Sequence, residues 1–60
     1  MRMYQVTLQG RINSYYAYGD TIVTTTIKAN YLLEACHRAT IEFNGVMVNV
    51  KVIQCKEVEP

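Results

Sequence analysis

One stretch of this chain is long enough, and patterned in the right way, to form a helix that can cover a sheet: residues 30–43, NYLLEACHRATIEF. The runs on either side of it are rich in β-branched residues and read as strands. A single helix among three strands leaves few ways to fold, because each element must bury its apolar side against another.

At about 100° per residue, Leu32, Cys36, Ala39 and Phe43 share one helical face. Ala35 flanks that face on one side, and Leu33 and Thr40 flank it on the other. Glu34, His37, Arg38 and Ile41 point away. Glu34 and Arg38 have the favourable i,i+4 order, worth about 0.2–0.5 kcal/mol. Asn30 is a natural N-cap, since its side chain can accept from a free N–H of the first turn. Gly45, after Asn44, is a natural stop because glycine tolerates the left-handed backbone that ends helices.

A second pattern competes over residues 40–48. Thr40 to Phe43, then Asn44-Gly45, then Val46 to Val48 also matches a hairpin, and Asn-Gly between alternating apolar runs is a strong hairpin signal. The longer helix is expected because Phe43 completes the apolar stripe and a helix ending near Ala39 would cover little of a sheet. It leaves Ile41 exposed.

The first strand spans residues 3–12 and alternates cleanly: Tyr4, Val6, Leu8 and Ile12 face one way, Gln5, Thr7, Gln9 and Arg11 the other. Gly10 takes an inward position, which marks a bulge or a close approach by the helix. Residues 13–19 join this strand to a second at 20–29, in which Val23, Thr25, Ile27 and Ala29 share one face and Ile22, Thr24, Thr26 and Lys28 the other. The last strand spans residues 46–57. Val46, Val48, Val50 and Val52 share a face opposite Met47, Asn49 and Lys51, after which the apolar phase shifts to Ile53 and Cys55. A bulge near Val52-Ile53 reconciles the two halves.

The order strand, strand, helix, strand predicts an α+β fold. A right-handed crossover sets the third strand parallel to the second. The first strand then fills the gap, antiparallel to both. The expectation is a three-stranded sheet of order 2-1-3 with the helix on one face. The other face, with Gln5, Thr7, Gln9, Arg11, Thr24, Thr26 and Lys28, is left to water and reads as flat and poor in charge.

Sixty residues form one domain, with a folding margin of about 3–5 kcal/mol from so thin a core. Homodimerisation through the open face or a strand edge is therefore expected. The net charge of +1 shows no basic stripe along the sequence, which argues against duplex nucleic acid as the main ligand. No run approaches a membrane span. The start, MRMYQVTLQG, alternates like a strand rather than like a signal peptide, so a cytoplasmic location is expected. Cys36 and Cys55 read as two reduced, buried small hydrophobes, with a disulfide requiring the last strand to pass beneath the helix. Two cysteines and one histidine without metal-site spacing imply no metal, and no cofactor motif is present. Cys36 and His37 are adjacent on a helix and diverge by about 100°, so they do not form a catalytic pair.

Tyr15, Tyr16 and Tyr18 lie in the first connection, more tyrosine than a turn requires. Tyrosine offers large contact area at low entropic cost, so these residues, with Arg11 and Lys28 beside them, are the candidate partner-binding site. The opposing structural reading folds one or two of them back onto the sheet. The expected function is a small non-enzymatic module acting by protein–protein contact, in the style of the accessory proteins of phages that modulate or inhibit a host protein. The alternatives are a single-stranded nucleic-acid-binding module in which the tyrosines stack on bases, a structural homo-oligomer subunit, and a protein that sequesters a small ligand at a subunit interface.

Overall fold

Strict alternation along the N-terminal run builds the strand on which the rest of the chain assembles. The computed structural model describes residues 1–12 and 19–59. Within it the elements are β1 (Arg2–Ile12), β2 (Thr21–Ala29), α1 (Leu32–Phe43) and β3 (Met47–Val58). The sheet order is β2-β1-β3, with β1 antiparallel to both neighbours. This is the expected small α+β fold, with the helix packed against one face of the sheet.

The core lies between α1 and that face. Tyr4, Val6 and Leu8 of β1 are buried, as are Ile27 and Ala29 of β2 and Ala35 and Ala39 of α1. Val23, Phe43, Val50, Val52 and Cys55 close its margins. The helix sits differently from the expected stripe. Ala35 and Ala39, rather than Leu32 and Cys36, face the sheet directly, and Leu32 is 44% exposed. Alanine extends no further than Cβ, so a line of two alanines lets the helix backbone approach the sheet. The larger Cys36 and Phe43 then straddle the contact, both half-buried. Ile41 is exposed, as the long helix requires.

Both helix ends use devices other than the expected ones. The N-cap is Tyr31, in extended conformation and with no side-chain cap bond. Asn30 lies one residue earlier, and its N–H donates to Glu34 Oε1 at 3.2 Å. Glu34 therefore collects the backbone donor from within the helix, in the manner of the acidic partner of a capping box. The same carboxylate pairs with Arg38 Nη2 at 3.2 Å, and Arg38 Nη1 donates to the Lys28 carbonyl at 3.0 Å. One guanidinium thus fastens the helix to the end of β2. At the C-terminus, Asn44 stays right-handed and its N–H reaches the carbonyls of Thr40 and Ile41. Gly45 is not in the left-handed region; a Val46 N–H bond to the Phe43 carbonyl, 3.1 Å, turns the chain instead.

The β1–β3 pairing slips twice. Thr7 pairs with Gln54 but Leu8 with Val52, which leaves Ile53 as an extra residue, 45% exposed. This is the irregularity expected near Val52-Ile53. The second slip was not expected: Gln9 pairs with Lys51 but Arg11 with Val48, and Asn49 within the interval has φ +56°. Asparagine is among the few residues that accept this conformation readily. The slip reverses the expected phase at the start of β3, so Met47 is buried and Val48 is exposed. Gly10 lies opposite it. The close approach that Gly10 permits comes from Met47 and Val48 of β3, not from the helix.

Candidate binding surface

Residues paired directly across an antiparallel sheet project to the same face. The two registers therefore define the surface that α1 does not cover. From one end to the other its rows are Lys28, Met3 and Val58; Thr26, Gln5 and Lys56; Thr24, Thr7 and Gln54; Ile22, Gln9 and Lys51; and finally Arg11 with Val48. At about 3.4 Å per residue, the eight steps from Met3 to Arg11 make this face about 27 Å long. No side chain on it is fully buried.

Four cations occupy this face: Arg11, Lys28, Lys51 and Lys56. The chain has six lysines and arginines in all. The remaining two are engaged elsewhere, Arg38 with Glu34 and Arg2 with Glu57 at 3.6 Å. Of the five acids, Glu34 and Glu42 are on the helix, Glu57 shares the helix-side face with Tyr4, and Glu59 lies beyond β3. Among the described residues, Asp20 alone of these acids bonds to a side chain of the open face, accepting from Gln9 Nε2 at 2.9 Å. A chain of net charge +1 thus carries its positive charge on one side of the sheet. The middle is uncharged and rich in hydrogen-bonding groups, with Thr7 and Thr24 hydroxyls 3.3 Å apart across the β1–β2 ladder.

The candidate residues named from the sequence divide accordingly. Arg11 and Lys28 are both exposed on this face, but at its opposite ends. Tyr15, Tyr16 and Tyr18 lie outside the described residues. Lys51 and Lys56 were not singled out, and the face is richer in charge than its first two strands suggested. No aromatic side chain lies on it among the described residues: Tyr4 is buried in the core, and Tyr31 and Phe43 belong to the helix and its cap.

No protein-family model, curated protein or solved structure matches this chain.

The remaining features are sparse. A shallow hollow of about 490 Å³ lies at the Lys28 end, where Arg2 and Lys28 meet Glu57 and Glu59. Its charged groups are exposed, so it does not create the dry environment that acid–base chemistry uses. Among the described residues no three histidine, cysteine or acidic side chains cluster as metal ligands, and no helix is long and apolar enough to cross a membrane. His37 is exposed on the helix. Cys36 and Cys55 are both free and half-buried rather than fully buried. Val6 pairs with Cys55, which puts Cys55 on the face beneath α1. Burial, followed by the influence of the Cys36 thiol, pushes the Cys55 thiol up to about 11.

Proposed function

We propose that this protein is a non-enzymatic binding module whose open sheet face engages an acidic protein surface, and that it acts by occupying that surface. The observation carrying this reading is the separation of charge: four of six cations share the face that no part of the described chain covers, while Asp20 bonds to Gln9 on it and Glu57 and Glu59 border only its Lys28 end. Such a face steers an oppositely charged partner and repels like-charged ones. It also argues against a second copy docking face to face, which would set four cations against four. A small accessory role, modulating or inhibiting a larger protein, fits a surface of this kind.

Single-stranded nucleic acid is the alternative ligand for a basic face. Binding of that kind draws on aromatic platforms for the bases as well as cations for the backbone, and the described face supplies only the cations. An NMR titration separates the two. The labelled protein is titrated in parallel with an acidic peptide and a single-stranded oligonucleotide of equal charge, each at low and moderate salt. The proposal expects the peptide to shift Gln5, Thr7, Lys51 and Lys56 while the outer helix residues stay still, and Lys51→Glu/Lys56→Glu to abolish the shifts. Tighter binding of the oligonucleotide, with a steep salt dependence, would replace this reading with the nucleic-acid one. Peptide shifts confined to the helix would refute the assignment of the face.

A further inference from the structure

We propose that the outer edge of β2 pairs with the same edge of a second copy of this chain, antiparallel and about a two-fold axis at Thr24, to make one continuous six-stranded sheet. The inference does not rest on the acidic partner: it uses the rim of the sheet and leaves the open face uncovered.

The sheet order leaves β2 and β3 as its two edges. Edge strands are kept from pairing with other chains by bulges, charges and proline. β3 carries two register shifts, the left-handed Asn49, and Lys51 and Lys56. β2 has none of these devices over Thr21–Ile27. It pairs with β1 residue for residue, and all seven residues are uncharged and none is proline. Ile22 within this stretch is 61% exposed. A straight, uncharged, β-branched edge is a ready template for another strand.

The register follows from the two ends of that edge. At one end Arg38 Nη1 already donates to the Lys28 carbonyl at 3.0 Å, so the unclaimed stretch stops at Ile27. At the other, Gly19 has φ +84° and ends the extended run. The midpoint of Thr21–Ile27 is Thr24. A two-fold axis there sets Thr24 against the partner's Thr24, Ile22 against the partner's Thr26, and Lys28 against the partner's Asp20. Opposite charges thus meet at both ends of the ladder. Their side chains share a face: Asp20 accepts from Gln9, and Lys28 pairs with Met3, both on the open side. Direct cross-strand pairs of opposite charge stabilise a sheet, and like charges in those places oppose it. The axis stands perpendicular to the sheet, so both helices stay on one side. Each helix packs over Val6 and Leu8 of its own β1. The two β1 strands are three strand spacings apart, about 14 Å. Packed helices need only about 8–10 Å, so the two do not collide. Each copy spends its β2 edge once, which closes the assembly as a dimer. The basic faces of the two copies then lie side by side on the other surface.

The test is sedimentation equilibrium of the reduced full chain from micromolar to millimolar concentration at low salt, with amide hydrogen exchange at both ends of that range. The expected result is a monomer–dimer equilibrium in which protection rises with concentration in β2 and not in β3 or α1. Thr24→Lys sets two lysines against each other on the axis and should leave the chain monomeric. Lys28→Asp and Asp20→Lys each put like charges together at both ends and should weaken the dimer about tenfold. The charge-swapped Asp20→Lys/Lys28→Asp restores both pairs and should recover most of that loss. Thr24, Asp20 and Lys28 are all exposed, so the variants keep the fold, which circular dichroism verifies. A strict monomer at millimolar concentration overturns the proposal. So do a dimer indifferent to Thr24→Lys, concentration-dependent protection on β3 or α1 instead of β2, or a charge swap that fails to recover association.

Discussion

Replacing Gly10 by alanine places a methyl group against the irregular start of β3. A Cβ built there meets Met47 Cε at 2.8 Å, the Val48 carbonyl oxygen at 3.1 Å and Met47 Cβ at 3.4 Å. The first contact is the end of a flexible side chain, but Met47 is only 3% exposed, so its methyl has little free space to enter. The second is backbone and moves only if the irregular segment around Asn49 moves with it. Two terms oppose each other. Alanine restricts the unfolded chain more than glycine, which stabilises by about 0.4–1 kcal/mol. Overpacking costs about 1–3 kcal/mol. The net expectation is a loss of about 1–2 kcal/mol, a large part of a margin of about 3–5 kcal/mol. Gly10→Val, with two further methyl groups, should leave almost no folded protein. Urea unfolding followed by far-UV circular dichroism measures both, and melting should fall by about 4–8 °C per kcal/mol lost. The double variant Gly10→Ala/Met47→Leu removes the nearest atom. It should be more stable than the two single effects added together, by about 1 kcal/mol. Gly10→Ala as stable as the parent, or strict additivity in the pair, would refute the crowding account.

Three further outcomes follow from particular residues. Asn49→Ala should cost about 1 kcal/mol in urea unfolding because alanine tolerates φ +56° poorly, whereas Asn49→Gly should be close to neutral. Glu34→Ala removes the acceptor of the Asn30 N–H and the partner of Arg38, and thermal melting should report a loss of about 1 kcal/mol. The folded state holds the Cys55 proton more tightly than the unfolded chain does, the thiol moving from 9.0 up to about 11. Its contribution to stability is therefore complete below about pH 9 and lost as the pH rises through about 11. In a pH series of urea midpoints the reduced parent should fall faster than Cys55→Ala across that window, and parallel profiles would contradict the shift.

Much of the fold was legible because local pattern and global demand agree. The period-two alternation from Tyr4 to Leu8 announced the central strand, and the β-branched run from Thr21 to Ile27 announced its neighbour. The lone helix between the last two strands, with the usual handedness of the crossover, left 2-1-3 as the simplest order. The candidate site was legible only in part. Arg11 and Lys28 could be assigned to the open face from the alternation within β1 and β2 alone, since no irregularity interrupts the pairing between those strands. The helix orientation was less legible, because a wheel locates an apolar face without saying which of its residues comes closest to the sheet.

The amino-acid pattern by itself determined the elements, their order and the face of β1 that is buried, because strand alternation and helical periodicity are properties of neighbouring residues. The tertiary pairing decided which side of the sheet each residue of β3 occupies. Lys51 and Lys56 are five residues apart and would lie on opposite faces of a regular strand. The extra residue at Ile53 brings them to the same face, and the left-handed Asn49 does the same for Val48 and Lys51. The basic surface and the position of Cys55 beneath the helix both arise from strand β3 being longer, residue for residue, than the stretch of β1 it must match. That mismatch exists only between two strands, so neither segment shows it alone.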